Sequence, residues 1–158
     1  SGLSMPVGLK NDSHGDIRVA MHAMESAAAP KGFIGCDEHG NVTGVRTSGN
    51  DDTIIILRGS YTAGPNYDQV DQIVAQLQAR GKKPYVIIDA SHGNSNKDIE
   101  NQAQVISHVC EHSEHVVGLM VESFLVDGAQ KIPHVYGQSI TDPCLSWTRT
   151  EPLLRRWK

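Results

Sequence analysis

At 158 residues the chain is within the roughly 100–200 residues of a single domain, and 39% hydrophobic with 20% charged residues is the composition of a globular fold with a real core. A net charge of −4, with aromatic residues that do not interleave with Lys and Arg, leaves no basic face, so nucleic acid is not an expected partner and small molecules are. No apolar run approaches the roughly 20 residues of a membrane helix, and Ser1-Gly2-Leu3-Ser4 lacks the charged and apolar regions of a signal peptide, so no membrane is expected and a cytoplasmic location is.

A first strand over Met5-Pro6-Val7-Gly8-Leu9 ends at Lys10. Asp16 to Ala29 then places Ile17, Met21, Met24 and Ala28 on one helical face, with Asp16 as cap and Pro30 just past the end. Lys31 to Asp37 and Val42 to Arg46, joined through Glu38-His39-Gly40-Asn41, read as an inserted hairpin. A second turn, Ser48 to Asp52, leads into the strand Thr53-Ile54-Ile55-Ile56-Leu57, which ends at Arg58. Asn66 to Arg80 carries Val70, Ile73, Val74 and Leu77 at helical spacing and stops on Gly81. The strand Tyr85 to Asp89 delivers Ser91 and His92, and Asp98 to His112 is helical through Ile99, Ala103, Ile106, Val109 and Cys110. The strand Val116 to Val121 ends at Glu122. Asp127 to Pro143 reads as irregular, ahead of a terminal helix holding Leu145, Trp147, Leu153 and Leu154.

Continuous apolar strands alternating with amphipathic helices indicate βα units and a parallel sheet. About four such units are legible over residues 1–158, read as one domain. A closed (β/α)8 barrel takes eight strands and roughly 250 residues, so the pattern fits either a small open α/β sheet or about half a barrel. Cys36, Cys110 and Cys144, an odd number at irregular spacing, suit reduced thiols better than a disulfide framework.

The residues that end the strands carry the chemistry. Lys10 and Arg58 suit recognition of a phosphate or carboxylate, with Arg offering a two-pronged fork, or else form ion pairs with Asp12 or Asp89. Gly49 and Gly59 could let backbone amides approach such an anion. His92 can be a metal ligand, a general base or a hydrogen-bonded core residue. Glu122 follows an apolar run, where a carboxylate is costly to bury without a cation or metal. Asp142, in Ser139-Ile140-Thr141-Asp142-Pro143-Cys144, reads from spacing alone as a helix cap. A His, a Glu and an Asp together would suit Mn, Fe, Co or Zn. His108, His112 and His115 sit at a polar helix end, where cationic side chains meet the helix dipole favourably, and are not expected to bind metal.

Six segments in order, Met5 to Asn11, Thr47 to Asn50, Ile56 to Gly59, Ile88 to Ser95, Val121 to Ser123 and Gly137 to Asp142, closely resemble the microbial class I 3-deoxy-D-arabino-heptulosonate 7-phosphate (DAHP) synthases. That family is a metal-dependent (β/α)8 TIM barrel joining phosphoenolpyruvate to erythrose 4-phosphate, the first step of the shikimate pathway to the aromatic amino acids. The resemblance implies that Lys10 and Arg58 hold phosphoenolpyruvate, with Arg58 chiefly at its phosphate, and that His92, Glu122 and Asp142 are metal ligands. It also implies Lys10, Arg58 and His92 as the catalytic residues. Some members bind an aromatic amino acid as feedback inhibitor near the segments matching Leu3, Ser4 and Phe33, a possible effector pocket here.

The departures are as informative. The family's fourth metal ligand, a cysteine on the first barrel strand, and its Lys-Pro-Arg-Thr segment, which binds both substrates, have no counterpart in this sequence. The expectation is therefore the C-terminal half of such a synthase, about strands 5 to 8 with an inserted β-hairpin, inactive alone. A half-barrel exposes strand edges and apolar surface, which predicts homo-oligomers or association with the missing N-terminal half. The competing expectation is a non-catalytic half-barrel that binds a divalent metal or phosphoenolpyruvate, or serves as an assembly module.

Overall fold

Strands and helices alternate through most of the chain in the computed structural model, which describes residues 1–112 and 114–157. In chain order these are β1 (Val7–Lys10), α1 (Ile17–Ala28), β2 (Lys31–Cys36), β3 (Val42–Thr47), β4 (Thr53–Leu57), α2 (Val70–Ala79), β5 (Val86–Asp89), α3 (His92–Ser95), α4 (Ile99–Glu111), β6 (Val116–Met120), β7 (Ser123–Phe124), β8 (Val126–Ala129), β9 (Gln138–Ser139), β10 (Leu145–Ser146) and α5 (Trp147–Leu154).

The helix boundaries follow from their caps. Asp16 accepts the Arg18 N–H at the start of α1, and Asp98 accepts the Asn101 N–H at 2.9 Å at the start of α4. Helix α2 begins four residues later than the apolar spacing predicts, at Val70, because Asn66 is drawn into side-chain hydrogen bonds with the strand ends. It stops at Gly81, whose φ of +67° lets the Gly81 and Lys82 N–H groups close on the Gln78 and Leu77 carbonyls.

The main sheet has the order β1-β4-β5-β6, all parallel, with Val7 opposite Thr53 and Leu57 opposite Ile88. The β5–β6 register shifts after Val86, which pairs with Val116 while Ile87 pairs with Gly118. Directly after β6, β7 pairs in parallel with β10, and the Leu145 N–H reaches the Glu122 carbonyl. The segment expected to be irregular, Asp127 to Pro143, thus contains short paired strands, β8 with β9, and Leu145, expected in the terminal helix, lies instead in β10 just ahead of α5. The two-residue strands Ser123–Phe124, Gln138–Ser139 and Leu145–Ser146 are too short to carry apolar alternation, so periodicity could not reveal them. The expected hairpin is β2 with β3, antiparallel from Lys31 opposite Thr47 to Cys36 opposite Val42.

Strands adjacent in the main sheet follow chain order without a reversal, unlike doubly wound sheets, whose order reverses at a switch point. Ile55 and Leu57 of β4 and Val86 and Ile88 of β5 join one core with Met21 and Met24 of α1, Ile73 and Leu77 of α2, and Ile106 and Val109 of α4. The helices therefore cover one face. On the other, Ile54 and Ile87 remain half-buried. No barrel is closed among the described residues, and none of their helices is long and apolar enough to cross a membrane.

Candidate metal and anion site

Because the strands are parallel, their C-terminal ends lie together, and the side chains that follow them converge. His92, Glu122 and Asp142 each offer a ligand atom, all within 4.8 Å of one another, with all three residues half-buried. Asp142, whose spacing suggested a helix cap, instead enters from the loop between β9 and β10 and caps no helix. One imidazole nitrogen and two carboxylates form a mixed donor set that suits a divalent transition metal.

Each member has a partner that fixes it. His92 Nδ1 lies 2.9 Å from Asp89 Oδ2, and Asp89 is fully buried at the end of β5. That contact leaves His92 Nε2 facing Asp142 Oδ2 at 3.5 Å. The same Asp89 oxygen accepts Lys10 Nζ at 2.8 Å, so the ion pair anticipated for Lys10 is the one with Asp89, not Asp12. Glu122 is held through its backbone by Gln102 of α4, which accepts the Glu122 N–H at 2.8 Å and donates to its carbonyl at 3.1 Å. Asp142 Oδ1 accepts Lys97 Nζ at 2.6 Å. That bond holds the Asp142 carboxyl below its usual range against an opposing push from burial, and raises the Lys97 ammonium above its own.

The strand ends are tied by three buried asparagines. Asn94 donates to the Leu57 and Asp89 carbonyls at 2.9 and 2.8 Å and accepts the Asn66 N–H. Asn66 accepts the Gly59 N–H, and Asn11 accepts the Arg58 N–H while donating to the Gly59 carbonyl. Arg58 is thereby anchored through its backbone, and its buried Nε has no hydrogen-bond partner, a donor available to an anion. Gly59 has φ +65°, and a Cβ there would lie 2.5 Å from the Asn94 nitrogen. Its role is close chain packing rather than an open amide cradle, and Gly49 likewise packs on the Ala28 carbonyl.

His92, Asn96 and Lys97 adopt positive φ values of 47°, 53° and 58°. Such conformations cost non-glycine residues about 1–3 kcal/mol each and cluster where function demands them. They turn the short loop around α3 so that both its ends, His92 and Lys97, meet Asp142.

Cys144 is buried, with Sγ 3.5 Å from the Asp142 carbonyl and 4.0 Å from Glu122 Oε2, outside the three-donor group. Burial pushes its thiol pKa up. His108 and His112 stack at 4.5 Å and Tyr67 meets His108 edge-on, an aromatic cluster rather than a ligand set among the described residues. A groove of about 550 Å³ is lined by Ser1 to Met5 and Val45 to Asp52, so Leu3 and Ser4 border it. Phe33, exposed on β2, does not, although its cross-strand partner Val45 does.

Asp89, Lys97 and Gln102 were not singled out as site residues from the sequence. Asp89 carried a signal as the polar end of a buried strand, and Gln102 as a polar residue one turn from Ile99 and Ile106. Lys97 carried none, since its placement depends on left-handed backbone that periodicity does not encode.

The model of the DAHP synthetase I family matches residues 1–155. A phospho-2-dehydro-3-deoxyheptonate aldolase of Haemophilus influenzae is 41% identical over 166 aligned positions, covering 99% of this chain and 46% of that protein. The Phe-sensitive aldolase of Escherichia coli K12 is 42% identical, covering 99% of this chain and 47% of that protein. The solved structure of the Francisella tularensis aldolase superposes with a TM-score of 0.89 at 40% identity, covering 99% of this chain and 48% of that one. The chain thus spans about half the length of these relatives.

Proposed function

The chain belongs to the DAHP synthetase I family, and on that premise we propose that its site serves the metal-dependent condensation of phosphoenolpyruvate with erythrose 4-phosphate, yielding a seven-carbon 3-deoxy sugar phosphate and inorganic phosphate. The observation that carries this reading is the meeting of Lys10, Arg58 and the His92–Glu122–Asp142 group at one end of a parallel sheet.

Lys10 and Arg58 bind phosphoenolpyruvate through its carboxylate and phosphate, and the unpartnered Arg58 Nε is the donor reserved for an anion oxygen. Asp89 orients the Lys10 ammonium and turns His92 so that Nε2 faces the ligand group. His92, Glu122 and Asp142 would hold the divalent metal, which when bound would supply a Lewis acid for the aldehyde of erythrose 4-phosphate. C3 of the enolpyruvate forms the new bond to that aldehyde carbon, water adds at C2, and phosphate departs with C–O cleavage. Arg58 and Lys10 stabilise the charge that gathers on phosphate and carboxylate as this happens.

The strands form the later part of a barrel. The parallel sheet β1-β4-β5-β6 supplies four of the eight strands of the fold, and the short parallel pair β7 and β10 follows it in the chain. On this reading the apolar side chains of Ile54 and Ile87 face the barrel interior, and a complementary segment or another copy covers them. The 158 residues alone are catalytically incompetent, since the family's Lys-Pro-Arg-Thr segment and cysteine ligand are not among them. The groove beside Leu3 and Ser4 is the candidate effector pocket, with Phe33 at its margin through Val45.

Phosphoenolpyruvate binding by calorimetry tests the anion half of the site. Arg58→Gln should weaken it by at least tenfold with the fold intact; unchanged affinity would remove Arg58 from the site. Phosphate release from both substrates with added Mn²⁺ tests competence, and clear turnover by these residues alone would overturn the requirement for further segments.

A further inference from the structure

Of the three candidate ligands, His92 is oriented by Asp89 and Glu122 by Gln102, both buried groups. Asp142 has no such support from the core. It sits in a loop, between Thr141 and Pro143, and among the described residues its carboxylate receives one hydrogen bond, from Lys97 at 2.6 Å. That contact takes Oδ1 and leaves Oδ2 facing His92 Nε2 at 3.5 Å. Asp142 must also sit close to a second carboxylate, Glu122, an approach that like charge opposes. The chain brings Lys97 there by holding Asn96 and Lys97 in consecutive left-handed conformations and returning the Lys97 N–H to the His92 carbonyl at 3.1 Å.

We propose that Lys97 is the positioning residue of the metal site: its ammonium occupies one oxygen of Asp142, so that the other alone is offered to the metal, and it offsets the repulsion between Asp142 and Glu122. Lys97 acts through Asp142 and is not itself a ligand. The inference rests on the assignment of His92, Glu122 and Asp142 as ligands, and its test separates the two.

Mn²⁺ is titrated calorimetrically into the metal-free protein and into Lys97→Met, Lys97→Arg and His92→Ala, each checked by circular dichroism and thermal unfolding. Outer-sphere partners of metal ligands typically account for 10- to 100-fold in affinity. Lys97→Met should weaken Mn²⁺ binding by that factor with little change in thermal midpoint, Lys97→Arg should recover most of it, and His92→Ala should abolish it. Lys97→Gln replaces Lys97→Met if the latter unfolds early. Substituting Co²⁺ adds a coordination readout, since its visible absorption should change in Lys97→Met and return in Lys97→Arg. If His92→Ala abolishes binding while Lys97→Met binds equally or more tightly, the ammonium is a bystander or a competitor and the inference falls while the ligand assignment stands. If wild type and His92→Ala behave alike, the ligand assignment falls and the inference with it.

Discussion

Replacing Gln102 by Leu keeps the bulk of a side chain that is 1% exposed and deletes two hydrogen bonds, from the Glu122 N–H at 2.8 Å and to the Glu122 carbonyl at 3.1 Å. Each such bond contributes about 1 kcal/mol net, and an orphaned backbone group adds more where water cannot reach it. Glu122 is half-buried, so water relieves part of that penalty, and the expected loss is about 2–3 kcal/mol. For a domain of this size that corresponds to a fall in thermal midpoint of roughly 4–12 °C. Scanning calorimetry with urea unfolding at 25 °C measures it, and Mn²⁺ titration of the same variant should show weaker binding, because Glu122 loses its anchor to α4. A Gln102→Leu protein within about 0.5 kcal/mol of wild type and with unaltered Mn²⁺ affinity would refute the role assigned to this glutamine.

Gly59→Ala should destabilise by about 2 kcal/mol or more, since its Cβ would meet the Asn94 nitrogen at 2.5 Å and φ is +65°; wild-type stability in urea would show that the strand-end packing is looser than described. The Asp16 carboxyl is held at about 2, below its ordinary 3.8, chiefly by the Arg18 side chain, so its contribution to α1 is present above about pH 4 and is lost as pH falls through about 2. The stability gap between wild type and Asp16→Asn should therefore be small at pH 5, because the pair with Arg18 is exposed and Asn also caps, and closed below pH 2. An undiminished gap in acid would contradict the capping bond.

What the sequence made legible was whatever periodicity and caps encode. Asp16 and Asp98 begin their helices, Gly81 ends one, and the hairpin turns at Glu38 to Asn41, all as composition implied. The parallel strands and the side chains at their ends were equally readable, because continuous apolar runs have few alternative homes. The pairing of β7 with β10 was not, since it rests on two-residue strands without alternation. Candidate ligands could be named by resemblance, but not their supports. Lys97 reaches Asp142 across 45 positions through left-handed backbone, and Gln102 reaches Glu122 across 20, distances over which only the fold supplies the geometry.

The metal assignment is tested most directly by anomalous diffraction from crystals of the protein grown with Mn²⁺. A single strong peak is expected within about 2.0–2.5 Å of His92 Nε2 and of one carboxylate oxygen each from Glu122 and Asp142. A peak elsewhere, or none at a Mn²⁺ concentration that saturates the protein in solution, would contradict it.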